Sequence, residues 1–76
     1  SLGVLAKYRG LGIGSKLISA MCDKARKEGH QRIGLIVDYD NNRAEHLYTS
    51  LGFKCVGHKQ FLGHPMHHLQ LTVNEE

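Results

Sequence analysis

The stretch YRGLGIGSKL, residues 8–17, places three glycines in five positions directly before an amphipathic segment. The apolar positions of that segment recur every three or four residues, which is the spacing of one helix face. They are Gly14, Leu17, Ile18, Met21 and Ala25. Arg26 and Lys27 close the segment and Gly29 follows, as is typical of a helix C-terminus. The sequence therefore predicts a strand-to-helix turn rich in glycine, followed by a helix of about four turns.

The flanking segments alternate between strand-like and helix-like patterns. Residues 2–6 form a short strand candidate, and residues 33–37 read IGLIV, a continuous apolar run typical of a central strand covered on both faces. A second helix is predicted from apolar positions at i, i+3, i+4 and i+7, ending at Gly52. These positions are Ala44, Leu47, Tyr48 and Leu51.

The last third of the chain predicts two strands. Residues 53–61 form a strand weakened by Gly57, and Gly63 with Pro65 marks a turn. Leu69, Leu71 and Val73 then alternate with polar residues, as in a half-buried strand.

The predicted order is therefore β-α-β-α-β-β, an α/β chain with a mixed sheet. Its first three elements would form one right-handed crossover unit. With about four strands and two helices, helices would not cover both faces of the sheet, so a three-layer doubly wound fold does not fit. At 76 residues the chain is a single small domain, 1–76, that would bury only about 60% of its unfolded surface.

Composition excludes several classes of protein. The chain is 41% hydrophobic and 22% charged, without low-complexity runs, which argues against disorder. No apolar run approaches the roughly 18 residues of a membrane span, and no leader pattern opens the sequence, so we predict a cytoplasmic protein. Cys22 and Cys55 lack zinc-type spacing, and we expect both to be buried small hydrophobic residues.

The first residue is Ser rather than Met, and the first apolar residues resemble the tail of a strand. We expect a further segment upstream, although Ser1 and Leu2 are also compatible with residues left by cloning.

The glycine turn has the features of a phosphate site. The first amides of a helix are unpaired and carry partial positive charge, and glycine lets a bulky anion approach them. Arg9, Ser15 and Lys16 add a guanidinium, a hydroxyl and an ammonium group. Neither a Walker GxxxxGK[ST] motif nor GxGxxG is present. A glycine-rich connection without a ligand remains the alternative.

A second group of residues follows the predicted buried strand, in VDYDNNRAEHLYTSLGF, residues 37–53. Asn41, Ala44 and Tyr48 are spaced i, i+3 and i+7, so they share one helix face. Taken individually, Asn41 is equally compatible with a helix N-cap and Tyr48 with a half-buried core aromatic.

Together the two patterns, Arg9-x-x-Gly12-x-Gly14 and Asn41-x-x-Ala44-x-x-Leu47-Tyr48-x-x-x-Gly52-Phe53, resemble the acetyl-CoA-binding half of the GNAT superfamily of N-acetyltransferases. The resemblance covers nearly the whole chain. It implies the C-terminal half of the GNAT acyl-CoA N-acyltransferase fold, whose members carry three further strands and two helices upstream.

The resemblance also implies roles for individual residues. The turn would wrap the pyrophosphate of acetyl-CoA, and the pantetheine arm would lie between strands 2–6 and 33–37. A primary amine would attack the thioester directly, a backbone N–H of the first strand would stabilise the oxyanion, and Tyr48 would protonate the leaving thiolate. Asn41 would contact pantetheine or the helix start, and Arg43 the phosphates. The cofactor-binding residues implied are Arg9, Gly10, Leu11, Gly12, Ile13, Gly14, Ser15, Lys16, Asn41 and Arg43.

The only carboxylates near the expected strand ends are Asp38 and Asp40. The resemblance implies that the general base often lies in the upstream elements, so none is assigned. Six histidines invite a metal hypothesis, but His67 and His68 would point to opposite faces of a strand, so we expect a solvent-exposed turn and strand without a metal.

Two rival functions remain open, both without catalysis. One is a CoA-binding or dimerisation remnant of such an enzyme. The other is a small basic nucleic-acid-binding domain, which the net charge of +3 permits but the three Tyr, two Phe and absent Trp disfavour. We expect neither a membrane nor a nucleic-acid partner. Because a half-sheet exposes an edge and an apolar face, we expect a homodimer or association with the missing N-terminal half.

Overall fold

The computed structural model of the chain describes residues 13–75, with the side chains of residues 14–75. Its elements are α1 (Ile13–Lys27), β1 (Arg32–Asp38), α2 (Asn42–Ser50), β2 (Lys54–Phe61) and β3 (His64–Thr72). From the second element onward this is the predicted order. The strand expected at residues 2–6 and the turn residues 9–12 lie outside the described residues, so the first crossover unit remains a prediction.

Helix α1 begins and ends where the sequence pattern places it. Ile18 and Cys22, one turn apart, are buried on its inner face. At its C-terminus the amide of His30 donates to the carbonyl of Ala25 at 3.0 Å, and Gly29 has φ of 84°. This is the Schellman arrangement, in which the left-handed residue is nearly always glycine because a Cβ atom would be strained there.

Helix α2 ends with the same arrangement, in which Leu51 is the C-cap and Gly52 is the left-handed residue. The amide of Phe53 donates to the carbonyl of Tyr48 at 3.0 Å and that of Gly52 to the carbonyl of Thr49 at 3.0 Å. Gly52 takes φ of 103° between them. The predicted stop at Gly52 is thus confirmed, and the reversal sends the chain directly into β2.

The described sheet has the order β1-β3-β2, with both pairings antiparallel. The parallel pairing of a mixed sheet would involve residues 2–6, which the structure does not describe. Within the described residues β1 therefore lies at an edge, and the prediction that both its faces are covered is not met. Of its five apolar positions only Val37 is buried, whereas Ile33, Leu35 and Ile36 are partly exposed. The core that both helices share lies on the Val37 face, where Ile33 and Leu35 pack against it, whereas Ile36 lies on the opposite face.

Strands β2 and β3 form a hairpin that turns at Leu62 and Gly63, whose φ angles are 51° and 81°. The register shifts between Cys55 and Gly57, so the weakness predicted at Gly57 is a bulge. Strand β3 starts at His64, earlier than the alternating apolar positions indicated. Cys55 is exposed, and the expectation that it would be buried is wrong, because the outer edge of β2 has no neighbour among the described residues.

One hydrophobic core joins the helices to the sheet. Its buried residues are Ile18, Cys22, Val37, Tyr48, Phe53, Leu69 and Val73. The burial of Leu69 and Val73 confirms the half-buried character predicted for the last strand. Among the described residues, no helix is both long and apolar enough to cross a membrane.

Candidate active site

The turn between β1 and α2 is built by local hydrogen bonds. The Asn41 side chain accepts a hydrogen bond from the amide of Ala44 at 3.1 Å, so Asn41 is the N-cap of α2. The Asn41 amide donates to the carbonyl of Asp38 at 3.0 Å. The carboxylate of Asp38 accepts from the amide of Asp40 at 2.9 Å. These bonds start the helix immediately after β1.

Tyr48 is the only buried residue of α2, with 2% of its surface exposed. Its ring meets that of Phe53 edge to face, with centroids 5.7 Å apart. Burial raises the pKa of its phenol above the ordinary value of 10.0, because removal from water disfavours the phenolate. The hydroxyl, like that of an ordinary tyrosine, is thus protonated at neutral pH. Tyr48 therefore lies in the core, as one of the two interpretations of the sequence predicted, and its side chain is fully buried rather than half-buried.

Helix α1 carries the second group of predicted site residues at its front. An α-helix leaves its first four N–H groups without intrahelical partners, and α1 starts at Ile13. Its first turn contains no acidic side chain. Gly14 is buried, Ser15 is half-buried and Lys16 is exposed. Of the residues predicted to hold pyrophosphate, Arg9, Gly10, Leu11 and Gly12 lie outside the described residues.

Arg43 occupies the solvent side of the first turn of α2. It lines an open concavity of about 480 Å³ together with Asn42, Glu45, His46 and Thr49. Asn41 and Tyr48, by contrast, belong to the cap and to the buried face of the same helix. The structure therefore places the predicted residues of α2 on two different sides, with Arg43 apart from Tyr48.

A cluster of polar aromatic side chains that was not predicted from the sequence lies at the end of the sheet. His67 is paired with Glu45 of α2 through Nδ1, and its ring stacks on that of Tyr39 with centroids 4.1 Å apart. The hydroxyl of Tyr39 is hydrogen-bonded to His58 Nδ1 at 2.5 Å. The expectation of a solvent-exposed histidine strand is therefore wrong for His67, whose side chain is only 24% exposed.

A signal for this was present in the sequence. His67 lies two residues before Leu69 and in phase with Leu71 and Val73, so it belongs to the face of β3 that the helices cover. Among the described residues, no group of three or more metal-binding side chains is arranged to hold a metal ion.

Comparison with known proteins connects this arrangement to a family. The model of the acetyltransferase (GNAT) family matches residues 1–53. N-alpha-acetyltransferase 30 of Schizosaccharomyces pombe is 40% identical over 52 residues, which are 68% of this chain and 35% of that protein.

Two solved structures share the fold over most of the chain. A crystal structure of an acetyltransferase is 46% identical with a TM-score of 0.80, covering 90% of this chain and 36% of that one. The structure of yncA from Salmonella typhimurium, with its cofactor acetyl-CoA, is 27% identical with a TM-score of 0.80, covering 90% and 43%.

The chain thus spans less than half the length of each of these proteins. The family match nevertheless extends over most of its residues and includes both patterns on which the resemblance depends. The described elements also have the order and the helix ends expected of the C-terminal half of that fold. The chain is therefore a member of the acetyltransferase (GNAT) family.

Proposed function

We propose that this chain is the acetyl-CoA-binding half of an N-acetyltransferase, which transfers the acetyl group to a primary amine by direct attack. The observation that carries the proposal is the phenol of Tyr48, which is buried on the helix that follows the end of β1. A neutral hydroxyl beside a leaving thiolate is a competent general acid. The family membership supports the identity of the donor.

The diphosphate of acetyl-CoA would be held at the front of α1. The helix start at Ile13, the absence of acidic residues from its first turn and the exposed ammonium of Lys16 all favour an anion there. The preceding residues Arg9, Gly10, Leu11 and Gly12 would complete this site. The complex of yncA with acetyl-CoA supports the assignment by analogy.

In the proposed reaction the amine nitrogen forms a bond to the thioester carbon, and the C–S bond breaks with its electron pair moving to sulfur. Tyr48 gives its hydroxyl proton to the sulfur, so that free coenzyme A leaves as a thiol. The proton lost by the amine returns to the phenolate through solvent. No general base is assigned, and the carboxylate of Asp38 accepts a hydrogen bond from the amide of Asp40 in the turn before α2.

A coenzyme A-binding remnant without catalysis is the second candidate. The chain covers 35% of its relative N-alpha-acetyltransferase 30. An acceptor site formed by upstream elements would be absent from such a remnant. We therefore limit the acceptor to a primary amine.

Titration calorimetry with acetyl-CoA tests the cofactor site, using the wild-type chain and Gly12→Glu. Glutamate would place a bulky negative side chain before the helix, so we expect binding to be lost. Equal affinity of the two proteins would remove the site.

Tyr48→Phe separates the two candidates. An enzyme should keep its affinity for acetyl-CoA while turnover falls, since the substitution removes the hydroxyl that donates the proton and keeps the ring. A chain that binds acetyl-CoA, and in which Tyr48→Phe changes neither the affinity nor the turnover, would be a remnant.

The chain would also associate, either with a second copy or with the upstream half of the fold. The partly exposed apolar residues Ile33, Leu35 and Ile36 on the edge strand β1 support this proposal. Sedimentation equilibrium should show a dimer for the chain alone, and a strictly monomeric folded species would contradict self-association.

A further inference from the structure

The cluster of Tyr39, Glu45, His58 and His67 connects four separate segments of the chain. Tyr39 follows β1, Glu45 belongs to α2, and the two histidines are direct register partners on β2 and β3. His67 is also the register partner of Val37, which is buried. The imidazole therefore lies on the face of the sheet against which the helices pack.

The first half of α2 has few other attachments to the sheet. Tyr48 is the only buried residue of the helix and lies in its second half, where the turn at Gly52 also fixes the chain. Before it, the helix is held by the Asn41 cap, which is local, and by partly buried Ala44 and Leu47. Within residues 14–75, the hydrogen bond between Glu45 and His67 joins the side chain of an α2 residue to the sheet.

Glu45 and Tyr48 are spaced i, i+3, so one helical turn separates the anchor from the phenol. A carboxylate accepts the hydrogen bond, and therefore His67 donates it through Nδ1–H. The stack of Tyr39 on His67, and the bond from Tyr39 to His58, restrict rotation of the imidazole. The imidazole is thus held from the side of the sheet by contacts that do not involve α2.

We propose that Glu45 and His67 are positioning residues, which hold α2 against the sheet and so place the Tyr48 phenol. This inference rests on the proposed function only in taking Tyr48 as the general acid. The positioning itself is a property of the chain without cofactor. It can therefore be tested whether or not the chain binds acetyl-CoA.

The test uses the raised pKa of Tyr48 as a probe of its burial. Tyrosines labelled with ¹³C at Cζ are titrated by NMR, and the three signals are assigned by single Tyr→Phe variants. In Glu45→Ala and His67→Phe the hydrogen bond is removed, and phenylalanine still stacks on Tyr39. We expect the Tyr48 pKa to fall toward 10.0 in both variants.

Two variants serve as controls. Glu45→Gln keeps an oxygen that accepts from Nδ1–H and should restore the wild-type Tyr48 pKa. His46→Ala removes the neighbouring exposed side chain and should leave it unchanged.

Amide hydrogen exchange supplies the second measurement. Loss of the hydrogen bond should speed exchange in α2 about tenfold while α1 stays protected. A wild-type Tyr48 pKa in both Glu45→Ala and His67→Phe would overturn the proposal. Equal loss of protection in α1 and α2 would overturn it too, because the contact would then support the whole fold rather than position one helix.

Discussion

Asn41 lies at the point where the stability of α2 and the proposed cofactor site coincide. Its side-chain oxygen accepts a hydrogen bond from the amide of Ala44 at 3.1 Å, and its own φ of −92° and ψ of 71° are not helical. Asn41→Ala removes this cap. Such a loss costs about 1 kcal/mol, within a range of roughly 0.5–2. For a domain of this size, 1 kcal/mol corresponds to a Tm lower by about 4–8 °C.

Asn41→Asp is the matched control. Aspartate keeps the oxygen that accepts from Ala44 and adds a negative charge at the positive end of the helix, so stability should equal or exceed that of the wild type. The family resemblance implies that Asn41 contacts pantetheine or the helix start, and aspartate lacks the side-chain amide N–H that would donate to pantetheine. Cofactor affinity should therefore fall in Asn41→Asp without a loss of stability.

The measurements are thermal unfolding followed by circular dichroism at 222 nm and calorimetric titration with acetyl-CoA. If Asn41→Ala melted at the wild-type temperature, the cap would contribute nothing and the argument from the hydrogen bond would be wrong. If Asn41→Asp bound acetyl-CoA as well as the wild type, Asn41 would have only its structural role.

The remaining predictions concern backbone strain and alkaline pH. Gly29→Ala should destabilise the chain by about 1–2 kcal/mol, because alanine is strained at a φ of 84°. A Cβ at this position meets no atom within 4 Å, so backbone strain is the whole effect. Gly52→Ala should cost more in urea unfolding, because its Cβ would also lie 3.2 Å from Leu71 Cδ1; equal losses would argue against that contact. Burial raises the Tyr48 pKa above 10.0, so the unfolded chain loses this proton first and stability should fall as the pH rises from about 10. The Cys22 thiol, whose pKa burial raises above 9.0, should act likewise from about pH 9. Tyr48→Phe and Cys22→Ala should each flatten their own part of this decline, and an unchanged pH profile in both would contradict the linkage.

The ends of the helices could be predicted from the sequence because their causes are local. Gly29 and Gly52 supply the left-handed residue that a Schellman motif needs, and Asn41 supplies a cap oxygen three residues before an amide. These signals act within one turn of chain. The second pattern of the family resemblance is also local, since it follows the turn from β1 into α2.

Burial and pairing were decided only by the tertiary structure. The two cysteines looked alike in sequence, yet Cys22 is covered by the sheet and Cys55 lies on an exposed edge. Glu45 and His67 are far apart in the chain, and only the packing of α2 on β3 brings their side chains together. The deep burial of Tyr48, which raises its pKa, likewise depends on the neighbouring ring of Phe53 and on the packing of α2 against the sheet. Backbone conformation at a turn follows from a few adjacent residues, whereas exposure to water depends on which distant segments fold over a side chain.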